Sequence, residues 1–188
     1  MPNDASFEGA ISPGAAHSTS RDENSTVNSA FLDGLRNAHA MELEAAQLLQ
    51  RQIERSGDFP ELQERLKSHL AETRRHEERL DKIFRSKGQS SSSFKDATMS
   101  IMGNLAAAAH MPASDEILKN AFASVAFENF EAAAYTSLIT LAELEGASEA
   151  AGLLRQTLAE EQAMADWLAR RIDGVTRRYI ELAGRAAA

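Results

Sequence analysis

The sequence predicts an all-α protein, a four-helix bundle assembled from two long antiparallel hairpins with a short helix in the crossover. The composition supports this, because Ala, Leu, Glu and Arg dominate while only 10 Gly and 4 Pro occur in 188 residues. Four long segments also repeat apolar residues at alternating steps of three and four, the spacing of one helix face. Finally, Gly57, Gly88 and Gly146 stand where this pattern breaks.

The first 26 residues are predicted to form a flexible N-terminal tail. Ser, Asn, Gly, Pro and Asp dominate this stretch, and few of its side chains are large and apolar. Such a segment buries too little surface to offset the entropy lost on ordering it. We therefore place the folded domain at residues 27–184 and expect residues 185–188 to fray.

The first hairpin is predicted between about Asn28 and Gly88. The inward row of its first helix is Leu32, Leu35, His39, Glu42, Ala46, Leu49 and Ile53. The row of its second helix is Leu62, Leu66, His69, Thr73, His76, Leu80 and Ile83. Asp58 is the expected N-cap of that second helix, with Pro60 in its first turn. The connection is short, so the two helices should run antiparallel.

The second hairpin follows a serine-rich break at residues 88–93 and a predicted crossover helix at 94–111. Ser114 is the expected N-cap of the third long helix, which ends near Glu145, and Ser148 is expected to cap the last helix. The inward rows are Leu118, Ala121, Val125, Glu128, Ala132, Tyr135 and Ile139, then Leu154, Thr157, Glu161, Met164, Leu168, Ile172 and Val175. A single long crossover between two hairpins is the ferritin-like connection.

Charge and composition narrow the classes of partner and location. The formal net charge is −8 and no basic cluster offsets it, which argues against a nucleic-acid partner. No apolar run approaches the roughly 18 residues that a membrane span needs, and no signal pattern opens the chain. Cysteine is absent, so thiolate metal sites are excluded and a reducing compartment fits. We expect a soluble, cytoplasmic protein.

Each long helix carries a glutamate on or beside its apolar row, at a matching height. Glu42 and Glu72 lie about fifteen residues on either side of the first turn, so they should be level within about one residue's rise. Glu131 and Glu161 repeat this arrangement around the second turn, displaced by 89 residues along the chain. Carboxylates from four helices therefore converge, with Glu128 one turn from Glu131.

A buried metal is the predicted reason for this convergence. Glu128 and Glu131 are the only charges between Asn120 and Ala142, in a helix that is apolar all round. Repulsion and desolvation should raise the pKa of such carboxylates, and a shared cation removes that cost. The predicted ligands are Glu42, Glu72, His76, Glu128, Glu131 and Glu161, a set that suits iron or manganese, with zinc as an alternative.

Three further residues are predicted to orient ligands rather than to bind the metal: His69, His39 and Tyr135. For His69 the alternative is direct metal binding, and for His39 and Tyr135 it is packing in the core. For the glutamates the alternative is a set of buried ion pairs. Arg75 and Met164 stand three residues after Glu72 and Glu161, where the histidine of a Glu-x-x-His pattern would fall. After Glu72 an imidazole follows one residue later, at His76, whereas none follows Glu161. One half of the predicted site thus lacks a nitrogen donor, so a lopsided site stays open. We also expect that replacing Glu42 or Glu161 leaves the metal-free protein at least as stable.

Four segments resemble the YciE/YciF family of bacterial ferritin-like stress proteins. They are FLDGLRNAHAMELEAAQLL, HLAETRRHEERLDKIF, FENFEAAAYTSL and LLRQTLAEEQAMADWL, which fall within residues 31 to about 170. The resemblance implies a ferritin-like bundle, often dimeric, that is linked to stress responses. It also implies the di-metal carboxylate positions, which Glu42, Glu72, Glu128, Glu131 and Glu161 match residue by residue.

Three classes of function remain open on the sequence. The leading one is a non-haem metal-binding stress protein of the di-iron or manganese carboxylate type, with redox activity toward oxygen or peroxide. The second is a true oxidoreductase of the same di-metal type. The third is a metal-free structural dimer whose carboxylates form buried ion pairs. The apolar excess of the third long helix predicts a partner, either the crossover helix or a second copy of the chain, and we expect a homodimer.

Overall fold

A computed structural model describes residues 15–89 and 115–186, and these residues form four long α-helices. Helix α1 spans Ala15–Arg55, α2 spans Pro60–Ser86, α3 spans Glu116–Leu144 and α4 spans Ser148–Ala186. The described residues contain no strand, and the prediction of an all-α four-helix bundle is confirmed. No helix in this part of the chain has an apolar stretch that could pass through a lipid bilayer.

The start of α1 differs from the prediction. The helix begins at Ala15 rather than near Asn28, so residues 15–26 of the predicted tail are helical. Side chains are described from Asp22 onward, and those of residues 22–26 are all exposed. A solvated helix of this kind carries no apolar row, which explains why its sequence resembles a tail. Residues 1–14 and the predicted crossover helix at 94–111 lie outside the described residues.

Both hairpins close through short connections whose caps differ slightly from those predicted. The N-cap of α2 is Phe59, not Asp58, and the Phe59 N–H donates to the carbonyl of Ser56 at 2.9 Å. The N-cap of α3 is Asp115, not Ser114. In neither case does the cap side chain bond the helix backbone, so packing rather than capping sets these boundaries. Gly146 adopts a φ of 75° after α3, a left-handed conformation that glycine adopts without strain.

The apolar core is divided into two clusters by a layer of buried polar side chains. The first cluster includes Phe31, Leu35, Leu80, Ile83, Phe84, Leu138 and Leu154. The second includes Leu49, Ile53, Leu62, Leu66, Leu168 and Val175. Along α4, Glu161 lies between Leu154 and Leu168, and along α2 the segment from His69 to His76 lies between Leu66 and Leu80. This polar layer is therefore enclosed by apolar packing toward both ends of the bundle.

Helices α1 and α3 approach closely at Gly34. Because of this contact, alanine at Gly34 and alanine at Gly174 should change the free energy of unfolding differently. A Cβ on Gly34 would lie 2.8 Å from Leu138 Cδ1, whereas one on Gly174 would meet nothing within 4 Å. Gly174→Ala should raise the free energy of unfolding by about 0.5–1 kcal/mol through helix propensity. Gly34→Ala should give no such gain, because the buried Leu138 must shift. Denaturant melts of the two variants check this, and an equal gain in both would contradict the close approach.

Candidate metal centre

Six ionisable side chains from all four helices meet in the polar layer. Each has at most 3 % of its surface exposed, and they are Glu42 on α1, His69 and His76 on α2, Glu128 and Glu131 on α3, and Glu161 on α4. The predicted convergence of carboxylates thus exists at four of the five positions. The fifth, Glu72, lies at the edge of the layer with 18 % of its side chain exposed.

Glu42, His76 and Glu161 form the first of two triads, which we call triad A. His76 Nδ1 lies 2.8 Å from Glu161 Oε1 and 3.2 Å from Glu42 Oε2. The Tyr135 hydroxyl donates a short hydrogen bond to Glu42 Oε1. Tyr135 therefore orients a candidate ligand, which is the arrangement predicted for it.

His69, Glu128 and Glu161 form triad B. His69 Nε2 lies 3.1 Å from Glu128 Oε2 and 3.4 Å from Glu161 Oε2. In each triad the three donor atoms lie within 4.8 Å of one another. Glu161 belongs to both triads through its two oxygens, so it stands between the two candidate metal positions.

The geometry reverses the roles predicted for His69 and Glu72. His69 presents Nε2 to the carboxylate cluster, while its Nδ1 contacts Glu72 Oε2 at 2.8 Å. On a helix, His69 and His76 point within about 20° of each other, whereas Glu72 is rotated by about 60° from His69 toward the edge. His69 is thus a candidate ligand, and Glu72 orients it. The expected lack of a second nitrogen donor is corrected by the same observation.

Two residues that the sequence reasoning missed hold the outer nitrogen of His76. Glu160 Oε2 lies 2.7 Å from His76 Nε2, and Arg79 donates to both oxygens of Glu160, at 2.6 Å and 3.2 Å. Arg79 also donates to Thr157 Oγ1 at 3.1 Å. The sequence offered only a weak signal for them: Arg79 lies one helical turn after His76, and Glu160 directly precedes the predicted ligand Glu161.

His39 lies outside the cluster, contrary to the prediction that it orients a ligand. Its Nε2 is 3.5 Å from Asp81 Oδ1, and its ring meets the edge of Phe84 with the ring centroids 6.1 Å apart. Although one turn before Glu42, it points toward the α2 surface near Asp81 rather than toward α4. Its position matches the packing alternative that the sequence left open.

Glu131 is fully buried, and its Oε1 makes no hydrogen bond to another described residue. Burial raises its pKa well above 4.5, and the negative charges of Glu161, Glu42 and Glu128 raise it further. Burial also raises the pKa of Glu42 and of Glu161, although contacts with His76 oppose the rise. The predicted upward shifts are therefore present at these three carboxyl groups.

The two histidines are positively charged in the metal-free protein at neutral pH. Burial disfavours the charged ring, but hydrogen bonds to the surrounding glutamates outweigh it and raise the pKa of both His69 and His76 to about 10. The imidazolium groups thus offset part of the negative charge of the cluster. Among the described ion pairs, none joins Glu42, Glu128, Glu131 or Glu161 to a lysine or arginine.

Each of the two triads could hold a metal ion. Each triad offers one imidazole nitrogen and two carboxylate oxygens. Glu131 lies close enough to Glu161, Glu42 and Glu128 that their negative charges raise its own pKa. Glu128 Oε2 and both oxygens of Glu161 lack a hydrogen bond of good geometry within the described residues. Buried carboxylate oxygens without such partners are costly unless a cation binds them. Mixed imidazole and carboxylate ligands suit iron, manganese or zinc.

Comparison with known proteins places this chain in one family. Residues 26–181 match the family described as a domain of unknown function, DUF892. The crystal structure of a protein from Xanthomonas campestris superposes with a TM-score of 0.70 at 25% identity, covering 84% of this chain and 99% of the other.

Two further solved structures share the fold. The Escherichia coli stress protein YciF has a TM-score of 0.70 at 25% identity over 80% of this chain and 97% of its own. YcfI of Rhodopseudomonas palustris, which is described provisionally as a structural protein, has a TM-score of 0.67 at 27% identity over 76% and 92%. The resemblance expected from the four sequence segments is confirmed, and the chain belongs to the DUF892 family of YciF-like helical proteins.

Proposed function

We propose that this protein is a non-haem metal-binding protein of the stress-associated type, which holds two ions of iron or manganese in the polar layer of the bundle. One observation carries the proposal: triads A and B each bring two carboxylates and one imidazole together, and they share Glu161. Four carboxylates and two histidines are the ligand set of the ferritin-like di-iron and di-manganese proteins.

We further propose that the bound metal gives the protein redox activity toward oxygen or peroxide. Two bound ferrous ions would supply one electron each, so that one peroxide and two protons become two waters. The chain's own contribution is a site closed by apolar packing at both ends, with the Tyr135 hydroxyl held against Glu42. Glu160, with 28 % of its side chain exposed, connects the His76 ring to solvent. A cytoplasmic location agrees with a stress role of this kind.

The alternative is a metal-free structural protein, and a specific observation favours keeping it. His69 and His76 already pair with the cluster carboxylates, so the metal-free layer is held together by imidazolium contacts rather than by arginine or lysine. The description of YcfI from Rhodopseudomonas palustris as a structural protein points the same way for that relative. Metal content distinguishes the two functions.

Elemental analysis of protein purified without chelator or nickel resin is the direct test. We expect about two iron or manganese ions per chain, because there are two triads. Adding either metal in large excess over its Kd should also raise the free energy of unfolding, by about 2.7 kcal/mol at a hundred times Kd. A protein that carries no metal and whose melting is unchanged by iron, manganese or zinc would support the structural alternative.

We also propose that the protein is a homodimer that associates through α1 and α3. Leu43 on α1 and Phe122 and Phe130 on α3 are large apolar side chains that are 43%, 51% and 45% exposed, and a partner surface would cover them. Sedimentation should give the mass of a dimer at micromolar concentration, and Phe122→Ser or Phe130→Ser should shift it toward monomer. Ile180→Ser on α4, where the side chain is 62% exposed, is the control. A wild-type monomer would contradict the interface.

A further inference from the structure

The two histidines of the polar layer turn opposite ring nitrogens toward the carboxylate cluster. His69 faces it with Nε2, at 3.1 Å from Glu128. His76 faces it with Nδ1, at 2.8 Å from Glu161. The nitrogen left over on each ring points outward and meets a glutamate: Glu72 for His69 at 2.8 Å, and Glu160 for His76 at 2.7 Å.

Each outer glutamate is in turn held by an arginine. Arg65 Nη1 lies 3.0 Å from Glu72 Oε2, and both groups are less than a fifth exposed. Arg79 binds Glu160 through both carboxylate oxygens and is anchored to Thr157. The same three-part chain of guanidinium, carboxylate and imidazole therefore occurs twice, once on each side of the layer, although only α2 supplies the histidines and arginines.

A histidine that binds a metal must be neutral at the binding nitrogen, and its other nitrogen then carries the hydrogen. That N–H is donated to a carboxylate or carbonyl, which fixes the orientation of the ring and raises the basicity of the bound nitrogen. Glu72 can accept this hydrogen from His69 Nδ1, and Glu160 can accept it from His76 Nε2. The other nitrogen is the one that faces the cluster.

We propose that His69 binds metal through Nε2 and His76 through Nδ1, and that Arg65–Glu72 and Arg79–Glu160 are two positioning pairs that select these nitrogens. This inference rests on the proposed function. It also makes the two metal positions chemically distinct, because the Nδ1 atom lies nearer the Cβ than Nε2 does. The nitrogen donor of triad A therefore lies closer to the α2 backbone than the nitrogen donor of triad B.

Substitution of the outer glutamates tests the positioning role. Glu72→Gln and Glu160→Gln leave every cluster-facing atom in place, so each should weaken the binding of one metal ion by about 10–100-fold while the other ion binds as in wild type. Competition titration of manganese(II) or zinc(II) against a chelator measures both affinities. Glu145→Gln is the matched control, because Glu145 forms a similarly shielded ion pair with Lys87, at 2.6 Å, but touches neither histidine.

Rescue by a conservative change separates positioning from loss of folding. Arg65→Lys keeps a cationic donor for Glu72 and should retain metal affinity within a few-fold, whereas Arg65→Ala should resemble Glu72→Gln. Circular dichroism confirms that each variant keeps its helices. Wild-type metal affinity in Arg65→Ala, or an affinity that falls only together with the helical signal, would overturn the positioning role of Arg65.

Nitrogen-15 spectra of the zinc-loaded full chain show which ring nitrogen of each histidine binds zinc and which carries hydrogen. A purely structural role of Glu72 and Glu160 would leave these signals unchanged. One histidine should show zinc on Nε2 with hydrogen on Nδ1, and the other should show the reverse. Glu160→Gln should alter only the N–H signal of His76. Coordination of both rings through the same nitrogen, or variants that bind like wild type, would overturn the inference. A wild-type chain that takes up no zinc or manganese would instead overturn the proposed function, and the inference with it.

Discussion

Replacing Glu131 with leucine is expected to stabilise the metal-free protein by about 1–4 kcal/mol at pH 8, the gain seen when buried ionic groups become apolar. Glu131 is the cluster carboxyl with no ion-pair contact to a histidine, and its Oε1 has no hydrogen bond among the described residues. Its removal relieves desolvation and repulsion without leaving a partner unpaired. Chemical denaturation in chelator, with Glu131→Gln as the isosteric variant, measures the gain.

The size of this gain should depend on pH in a defined direction. The pKa of Glu131 is raised well above 4.5 in the folded protein, so the folded state holds this proton more tightly than the unfolded chain. Below pH 4.5 the carboxyl is protonated in both states and its electrostatic cost is absent. As pH rises toward the folded-state pKa, the unfolded chain ionises freely and wild-type stability falls. The advantage of Glu131→Leu should therefore be larger at pH 8 than at pH 5.

Glu42→Leu is the informative contrast, and here the structure reverses the expectation drawn from the sequence. Glu42 accepts a hydrogen bond from Tyr135 and contacts His76 Nδ1 at 3.2 Å. Leucine would leave a buried hydroxyl unpaired and would remove one counter-charge from a buried imidazolium. We expect a loss of about 3 kcal/mol in the metal-free protein. If Glu42→Leu and Glu131→Leu changed the free energy of unfolding equally, the hydrogen-bond and ion-pair partners of each glutamate would not determine its effect on stability.

The helical periodicity was sufficient to predict the bundle, but not the full length of its first helix. Alternating apolar steps of three and four mark residues that must be buried, and these identified the packed parts of all four helices. The start of α1 has no such signal, since its side chains from Asp22 to Thr26 are solvent-exposed. Periodicity reports burial, so a helical segment that buries nothing is read as a tail.

The sequence predicted the level of the candidate site along the bundle axis more accurately than the role of each residue in the site. Distance from each turn fixed the level of Glu42, Glu131 and Glu161, because the rise per residue is constant. The rotation of α2 about its own axis determines whether His69 or Glu72 faces inward, and it depends on packing against the other three helices. Arg79 and Glu160 were missed for a related reason, since a charged residue at the edge of a layer has the sequence pattern of a surface residue.

Replacing Glu161 is expected to abolish binding at both metal positions, whereas replacing Glu42 or Glu128 should abolish only one. Glu161 Oε1 faces His76 in triad A, and Glu161 Oε2 faces His69 in triad B. Glu42 and Glu128 belong to one triad each. Glutamine retains the size of the side chain but removes the charge and one acceptor oxygen. Glu161→Gln therefore leaves both triads with two good ligands each, whereas Glu42→Gln or Glu128→Gln leaves only one triad incomplete.

Metal content of these variants should therefore fall in steps rather than in proportion. With wild type at two ions per chain, Glu42→Gln and Glu128→Gln should each hold one ion, and Glu161→Gln none. The two single-triad variants should also keep part of the thermal stabilisation that added manganese gives, and Glu161→Gln should show none of it. Glu145→Gln, whose ion pair with Lys87 lies away from the layer, should retain both ions. If Glu161→Gln kept one ion, the two metal positions would not share this carboxylate. If Glu42→Gln lost both ions, the ions would bind as one cooperative unit, and the description as two separate triads would be wrong.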